Sequence, residues 1–475
     1  MLIENKKYYF LLFIFCLASR IATTIYYIED TDSLRFALSI GEYDVAKLQP
    51  HFPGYPIFCF FAKILFFFTK SLAVSFSIIG AVSIFIIIYF LLKICKTDIR
   101  TIKGAMLSGL VFLNPLLWLM SNRYMPDLMG LAIVVLAFYF LSTDKFPDKN
   151  IMLGFLFTGL VAGIRLSYLP ILLFPVCRHF ILSKKKINLF ISITTGFLFW
   201  LVPFIWVTGF ENLFNSAFKQ ANGHFLDFGG TIITENNWTK RVFVIIRSIW
   251  ADGLGGYWLG RSLQTIFLSI PMVYIMYSGF KNLKTKRTIN LYWILISFIC
   301  VYGLWIFFFQ NVIYKSRHVL PLLVPFILIL LQGVMFLIRK DNILNKIIVI
   351  LFFLSLINVT SVLVVQHKGS SAISRIKDQL IVNNNDQIIA STPLINYYLK
   401  YNGVVGKFFD IENENDIQNI IALENDSLYL IGNFKDSFIN NYSIVNDSIF
   451  FHNPYVNRMW SDIRTFTIAK KYNVR

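Results

Sequence analysis

Residues 29–56 carry the side chains best suited to acid–base chemistry in this sequence. The segment places Asp30 and Asp32 within an otherwise apolar half of the chain. Carboxylates just outside the hydrocarbon of a membrane can exchange protons without being fully desolvated. Because the two acids are two positions apart, they face the same way in an extended segment and diverge in a helix. The competing interpretations are a solvated loop, or an N-cap at Asp32 for the helix that Ser-Leu-Arg-Phe-Ala-Leu predicts.

The second half of this segment predicts a stiff, shaped turn. It reads Gln49-Pro50-His51-Phe52-Pro53-Gly54-Tyr55-Pro56, with three prolines and one glycine. Proline fixes the backbone and glycine permits tight turns, so the stretch presents its side chains in a defined geometry. We expect His51 and Tyr55 to contact a substrate. His51 could bind a phosphate or a metal, although a lone histidine beside prolines more often packs or hydrogen-bonds.

The composition is that of a protein with many membrane spans. Of 475 residues, 56% are hydrophobic and 15% are charged, against about 25% charged residues in soluble domains. The net charge of +18 does not indicate nucleic-acid binding, because the lysines and arginines cluster in short loops between apolar runs, as expected for cytoplasmic loops. The five cysteines lie in or beside apolar runs without metal-type spacing, which predicts small core residues.

The distribution of basic residues predicts the orientation of the chain. Lys6 and Lys7 place the amino terminus inside, so a first span at about 8–27 delivers the acidic loop to the outer face. We expect about eleven spans, interfacial helices, and outer loops at 28–56 and 209–260. An odd number of spans leaves the carboxyl terminus outside, in a multi-pass membrane protein.

The hydrophobic pattern of the sequence changes after residue 366. Apolar runs shorten to strand length at 387–390, 427–431 and 448–451, and residues 370–381 and 395–401 have helical patterns. Strands alternating with helices predict a small α/β domain at 367–475, following a transmembrane catalytic domain at 1–366. The expected fold class is therefore an all-α polytopic membrane domain with a small C-terminal α/β soluble domain.

The acidic loop resembles a known family. Its pattern D-S-x-x-F-A-L, then Y-D-V-A, then Q-P-H-x-P-G-Y-P is similar to bacterial GT-C membrane glycosyltransferases, relatives of protein O-mannosyltransferases and of the aminoarabinose transferases acting on lipid A. The resemblance covers most of the membrane part, but only this loop is specific. Phe52 stands where relatives often have a second proline.

The resemblance implies a chemistry, a set of partners and a location in the inner or plasma membrane of a bacterium. It implies inverting transfer of a sugar from a polyprenyl-phosphate donor to a glycan, lipid or protein acceptor on the outer face. An acid of the first outer loop is the general base in this family, which is Asp32 by motif position, with Asp30 or Glu29 in reserve. No cofactor is indicated, and a divalent metal is left open.

The leaving phosphate requires a cation. Arg165 lies in a stretch that resembles the family's G-x-R-x-x-x-x-P turn, and Arg317 in one that resembles its R-[YH]-x-L-P start of a late helix. Snorkelling to headgroups or pairing with a nearby acid is the alternative for each arginine. Asp127 could orient the donor or the acceptor, or cap the helix that follows it. The topology places these candidate phosphate ligands at outer helix ends: Arg123, Arg165, Arg261, Lys315, Arg317 and His318.

Three other functions compete with a glycosyltransferase. A transporter or flippase of lipid-linked sugars would need ionisable residues within its helices, or discontinuous helices. A polysaccharide polymerase or ligase would also join sugars outside the membrane, and a structural protein would bind partners through its outer domain. Release of polyprenyl phosphate from a sugar donor would distinguish a transferase from a transporter or a structural protein.

Overall fold

The computed structural model describes residues 2–142, 148–227, 231, 233–234, 237–285, 289–313, 315–340, 342–383 and 387–471. Its contacts divide the chain into two compact units. The first consists of Met1–Ile25 and Leu38–Val365, and the second of Tyr26–Ala37 and Gln366–Arg475. The predicted domain boundary at residue 367 stays a prediction. The grouping of Tyr26–Ala37 with the C-terminal unit is a feature that the sequence did not indicate.

The described residues form helices throughout the first unit and a mixed sheet with helices in the second. The helices are α1 (Leu2–Ala22), α2 (Thr31–Gly41), α3 (Pro56–Thr69), α4 (Leu72–Ile94), α5 (Ile102–Phe112), α6 (Pro115–Asn122), α7 (Asp127–Leu141), α8 (Asp148–Arg165), α9 (Leu169–Leu182), α10 (Lys186–Thr208), α11 (Phe210–Asn222), α12 (Trp238–Arg247), α13 (Gln264–Thr285), α14 (Ile289–Ile294), α15 (Tyr302–Phe309), α16 (Leu323–Arg339), α17 (Ile343–Lys368), α18 (Ala372–Asn383), α19 (Pro393–Tyr401), α20 (Glu414–Ala422) and α21 (Lys435–Phe438). The strands are β1 (Ile388–Ser391), β2 (Lys407–Asp410), β3 (Ser427–Ile431), β4 (Tyr442–Phe451) and β5 (Asp462–Lys470).

Six helical stretches within the described ranges are long and apolar enough to cross a membrane. A seventh is possible if α5 and α6, bent by 56° at the break between them, form one span. The count stays below the expected eleven partly because other apolar segments form shorter helices, such as α3 and α7. About eleven spans therefore remains a prediction. The six stretches are Leu72–Ile94, Asp148–Leu182, Lys186–Thr208, Tyr292–Phe309, Ser316–Arg339 and Ile343–Val382.

Glycines allow two pairs of these helices to cross at close range. A Cβ added to Gly196 of α10 would lie 2.2 Å from the Leu156 carbonyl oxygen of α8, and Gly159 of α8 meets α10 in the same way. In the α13–α16 pair, a Cβ on Gly333 would lie 1.9 Å from the Ile275 carbonyl oxygen. Small residues at helix crossings let two backbones approach closely, which increases the van der Waals contact between the helices. This contact favours association in a membrane, because lipid tails are as apolar as large side chains and burial of apolar side chains alone does not.

The break between α5 and α6 is held by polar side chains from other helices. Asn114 caps α6 by accepting from the Leu117 amide at 3.0 Å, and its amide group donates to the Gly253 carbonyl at 2.9 Å. Arg20 of α1 donates to the Phe112 carbonyl at 3.0 Å, and Thr360 of α17 donates to the Leu113 carbonyl at 2.6 Å. These bonds satisfy carbonyls freed by the bend, which apolar surroundings require.

The second unit contains a five-stranded sheet in the order β2-β1-β3-β5-β4. β1 pairs in parallel with β2 and with β3, whereas β5 pairs antiparallel with both β3 and β4. Leu430 of β3 faces Phe466 of β5 in register, and both belong to the buried core. The α/β prediction for this region is confirmed by the sheet, including the strands at 387–390, 427–431 and 448–451. β2 and β5 were not predicted.

The described parts of the expected outer loop at 209–260 contain two short helices. These are α11 and α12, each followed by a π-helical turn, at Gly223–Asp227 and Ser248–Gly253 respectively. α11 buries none of its residues. The position of this segment on the outer face stays a prediction.

Replacing Gly333 by alanine is expected to lower the melting temperature of the protein in detergent, because a Cβ there would meet the α13 backbone at 1.9 Å and overpacking costs about 1–3 kcal/mol. Gly303 of α15 is the matched control, since a Cβ there meets nothing within 4 Å. Gly303→Ala should leave stability unchanged or raise it, because alanine favours the helix. Equal melting temperatures for Gly333→Ala and the parent protein would contradict the close crossing.

Candidate active site

The turn before α3 positions two predicted site residues. Asp44 and Gln49 exchange backbone hydrogen bonds of 2.8 Å across the turn, and the Tyr43 hydroxyl donates to the Gly54 carbonyl at 2.9 Å. Gly54 and Tyr55 have left-handed backbones, with φ of 78° and 48°. Glycine adopts this conformation readily, and an added Cβ on Gly54 would lie 2.5 Å from the Phe204 ring. The turn is therefore shaped as the sequence predicts, and it directs Tyr55 into the first unit, where it is buried.

A chain of polar contacts joins this turn to three distant helix ends. The Tyr55 hydroxyl contacts His51 Nε2 at 3.1 Å and accepts a hydrogen bond from Arg165 Nη1 at 3.1 Å. Nη2 of Arg165 lies 2.9 Å from Asp127 Oδ1, and Nε of Arg317 lies 3.9 Å from the same oxygen. Five residues singled out in the sequence thus form one cluster.

The three charged residues of the cluster lie where helices begin or are interrupted. Asp127 begins α7, directly after a turn in which Pro126 precedes it. Arg165 has non-helical angles, φ −152° and ψ 86°, between α8 and the 3-10 turn Leu166–Tyr168. Arg317 lies in the 3-10 turn Ser316–Leu322, which leads into α16. The predicted turn at Arg165 and the predicted start of a late helix at Arg317 are therefore present.

The cluster is buried and contains one aspartate and two arginines. The exposed fractions are 1% for Asp127, 6% for Arg165 and 8% for Arg317. One carboxylate therefore faces two guanidinium groups inside apolar segments, where isolated charges are costly. Of the described residues, none supplies a hydrogen-bond partner for Nε of Arg165. The cluster therefore keeps an open donor on a buried guanidinium group, which suits an anionic ligand such as a phosphate.

Two tyrosines that were not predicted, Tyr168 and Tyr302, complete the packing around Arg165. The Arg165 guanidinium carbon lies 5.8 Å from the centroid of the Tyr168 ring. Tyr302, from the middle of an apolar run, packs edge-on against Tyr168 with centroids 5.7 Å apart. Gly130 of α7 leaves room for the arginine stem, since an added Cβ would lie 2.6 Å from Arg165 Cβ. Only its position three residues after Arg165 could have drawn attention to Tyr168.

Three further candidate phosphate ligands, His318, Arg123 and Arg261, are held by different parts of the chain. His318 follows Arg317, is buried, and its carbonyl accepts from the Tyr302 hydroxyl at 3.1 Å. Arg123 is buried at the end of α6, four residues before Asp127. Arg261 donates to the carbonyls of Ala251 and Gly256, so it holds the 251–256 segment in place.

The acidic residues at the start of the first loop, Glu29, Asp30 and Asp32, belong to the second unit. Asp30 Oδ1 caps α2 by accepting from the Ser33 amide at 2.8 Å, and its Oδ2 accepts from Asn457 at 3.3 Å. Asp32 lies in the first turn of α2, with Arg35 Nη1 3.7 Å from its Oδ1. The helix therefore begins one residue before Asp32, and Asp30 rather than Asp32 is the N-cap.

Neighbouring groups fix this acidic segment within the second unit. Glu29 Oε1 lies 3.2 Å from His367 Nε2. The Tyr398 hydroxyl donates to the Ile28 carbonyl at 2.5 Å. Burial raises the pKa of Tyr398, and the negative charges of Asp30 and Glu29 act in the same direction, so this hydroxyl stays a neutral donor. The segment that carries Asp30 and Asp32 is thereby held by the C-terminal unit.

Metal-type clusters are not found in the described part of the chain: no three His, Cys, Asp or Glu side chains are arranged to hold an ion. His51 instead contacts Tyr55. The possibility of a divalent metal is therefore given no support by these residues, and no step is derived through one.

The fold is similar to that of ArnT from Cupriavidus metallidurans, a lipid A aminoarabinose transferase of the GT-C class. The ArnT structure bound to undecaprenyl phosphate matches with a TM-score of 0.55 and 10% identity, covering 97% of this chain and 98% of ArnT. The apo structure matches with a TM-score of 0.53 and 10% identity, covering 98% of each chain.

The sequence matches no family model and no curated protein. At 10% identity, the similarity to ArnT shows the fold alone. The predicted GT-C resemblance is thus confirmed for the fold, and the chain is an integral membrane protein with a small C-terminal α/β region.

Replacing Asp127 by asparagine is expected to destabilise the protein, because it leaves the buried charges of Arg165 and Arg317 without this carboxylate. Breaking a buried pair from one side typically costs about 3–5 kcal/mol. The double variant Asp127→Asn/Arg165→Gln should lose less stability than the sum of the two single variants. Thermal unfolding in detergent measures each loss.

The exposed pair Lys185–Asp148, at 2.6 Å with both side chains more than half exposed, is the control. Asp148→Asn should barely change the melting temperature, because solvent screens such pairs. Strictly additive losses at Asp127 and Arg165 would show that the two charges are not coupled.

Proposed function

We propose that this protein is an inverting glycosyltransferase. It moves a sugar from a polyprenyl-phosphate donor to an acceptor on the extracytoplasmic face of the membrane. The observation that carries the proposal is the buried cluster of Arg165, Arg317 and Asp127 on an ArnT-like fold. Two cations that share one carboxylate inside apolar helices suit a lipid-linked phosphate, which enters from the bilayer and brings its own negative charge.

In this proposal, Arg165 and Arg317 bind the donor phosphate. Their guanidinium groups can form parallel hydrogen bonds with phosphate oxygens, and they stabilise the negative charge that develops on the leaving group. Asp127 and Tyr55 orient Arg165 through its two terminal nitrogens. Arg123 and His318 are further phosphate ligands, and His51 acts by holding the Tyr55 hydroxyl.

Asp32 is the proposed general base. An acceptor hydroxyl oxygen attacks the anomeric carbon while the bond from that carbon to the phosphate oxygen breaks, and the bonding electrons leave with polyprenyl phosphate. Asp32 takes the hydroxyl proton, and attack opposite the leaving group inverts the anomeric configuration. Asp30 is the weaker candidate, because its two oxygens serve the α2 amides and Asn457.

A transporter or flippase of lipid-linked sugars is the second candidate, and two observations favour it. Asp127 and Arg165 pair within apolar helical segments, and ionisable residues in such segments are typical of transporters. The α5–α6 pair is also broken by a 56° bend, and discontinuous helices are typical of transporters. The two functions differ in one product, since only a transferase cleaves the donor and releases polyprenyl phosphate.

Purified protein incubated with undecaprenyl-phosphate sugars and cell-envelope glycolipids is expected to release undecaprenyl phosphate. Thin-layer chromatography and mass spectrometry would detect the lipid and the glycosylated acceptor. Movement of intact donor across liposomes without any release would instead favour the transporter.

Asp32→Asn should abolish this release, with a loss of about 10²–10⁴-fold in rate, because a general base contributes that much. Asp30→Asn distinguishes the two acids, since asparagine caps a helix as well as aspartate. We expect Asp30→Asn to keep most of the activity. Full activity in Asp32→Asn, with unchanged melting temperature, would reject this assignment of the base.

A further inference from the structure

A polar cleft of 530 Å³ opens on the C-terminal sheet, where β3 ends and β5 begins. It lies wholly within the second unit and includes none of the residues assigned to sugar transfer. Its volume falls within the range of small-molecule sites. The cleft is lined by Asn433, Lys435, Asp436, Asp462, Arg464 and Phe466.

Strand alternation and one tight turn build the cleft. Asp462, Arg464 and Phe466 occupy alternate positions of β5 and therefore share one face of the sheet. After β3, Gly432 has φ 120°, and an added Cβ would lie 2.8 Å from the Phe434 ring. The Gly432 amide donates to the Arg464 carbonyl at 2.8 Å. This bond ties the turn that carries Asn433 to the strand that carries the charged residues.

A buried side chain anchors the other wall. Phe438, at the end of α21, is fully buried in the core of the second unit. Lys435 and Asp436 begin the same short helix, so the core fixes their backbone. The Lys435 Nζ lies 5.8 Å from the centroid of the Phe466 ring, at the floor of the cleft.

The four charged side chains that line the cleft can still form hydrogen bonds with a ligand. Two are cations, on Lys435 and Arg464, and two are carboxylates, on Asp436 and Asp462. Over the ranges that the structure describes, none of these four side chains forms an ion pair or a hydrogen bond with another protein group. Opposite charges on flexible surface side chains commonly pair. Here they stay apart around a concave surface.

This lining selects a class of ligand. The two positive and two negative charges cancel, so neither a simple anion nor a simple cation is favoured over the other. The polar walls exclude a large apolar ligand. Saccharide hydroxyl groups both donate and accept, so they can satisfy ammonium, guanidinium, carboxylate and amide groups at the same time.

We propose that this cleft is a saccharide-binding site, and that it holds the glycan part of the acceptor. The second clause rests on the proposed glycosyltransferase function, whereas the first stands on the cleft alone. The C-terminal unit then contributes acceptor recognition in addition to carrying Asp30 and Asp32.

Ligand-observed NMR of the full-length protein in nanodiscs tests the site with maltotriose, chitotriose and a glucosamine disaccharide. At least one of them should bind the parent protein. Asp462→Asn and Arg464→Gln should each weaken that binding about tenfold, because each removes a hydrogen bond to a charged group. Glu412→Gln is the matched control, since it removes an exposed charge outside the cleft, and it should bind as the parent protein does.

Three results would overturn the proposal: no binding of any of these saccharides, binding that persists in both cleft variants, or binding of a zwitterionic dipeptide in place of all three saccharides. Melting temperatures of the variants separate a lost site from a lost fold.

For the acceptor role, Asp462→Asn should raise the KM for the bound saccharide about tenfold while kcat stays the same. An unchanged KM would remove that role and leave the binding site intact. A parent protein that binds saccharide yet never releases polyprenyl phosphate would overturn the glycosyltransferase function but not the cleft.

Discussion

The carboxylate of Asp127 lies against two arginines inside apolar helical segments, and the first unit is arranged around that contact. Asp127, Arg165 and Arg317 come from three segments far apart in sequence, and each lies where a helix begins or is interrupted. A guanidinium group needs several acceptors when buried, and continuous helices offer few. The helix breaks are therefore what allows these charges to meet within a membrane-spanning protein.

The surrounding residues support the contact between Asp127 and the two arginines. Gly130 gives the Arg165 stem its space, and Tyr55 occupies one terminal nitrogen of its guanidinium while Asp127 occupies the other. On the other side of Asp127, the bonds of Arg20, Thr360 and Asn114 fix the bend that leads through α6 towards it. The proposed phosphate site thus depends on hydrogen bonds that other residues make at the bend between α5 and α6.

The sequence predicted the parts of this arrangement that have a local signal. Proline five residues after Arg165 and four after Arg317 marked the interruptions, and the proline-rich stretch marked the turn that carries His51 and Tyr55. β1 and β3 were found because they are short, continuous apolar runs. Tyr302 was missed because nothing distinguishes it within an apolar run, and its role arises only from packing against Tyr168. β2 was missed because two of its four residues, Lys407 and Asp410, are charged, which leaves an apolar run of only two residues.

The number of spans was harder to predict for a related reason. Apolar content marks a segment as buried in lipid or protein, but it does not distinguish a full span from a short helix such as α7, which is almost entirely enclosed by protein. Similarly, the grouping of Tyr26–Ala37 with the C-terminal unit depends on contacts between residues more than 300 positions apart, such as Tyr398 with Ile28. No pattern within either segment could indicate that contact.

The central claim is that the two arginines beside Asp127 bind a lipid-linked phosphate. Native mass spectrometry of the purified protein, mixed with equal amounts of undecaprenyl phosphate and undecaprenol, tests it most directly. The account predicts that the parent protein retains the phosphorylated lipid over the alcohol and that Arg317→Gln loses this preference while remaining folded. Equal retention of both lipids by the parent protein, or an unchanged preference in Arg317→Gln, would contradict it.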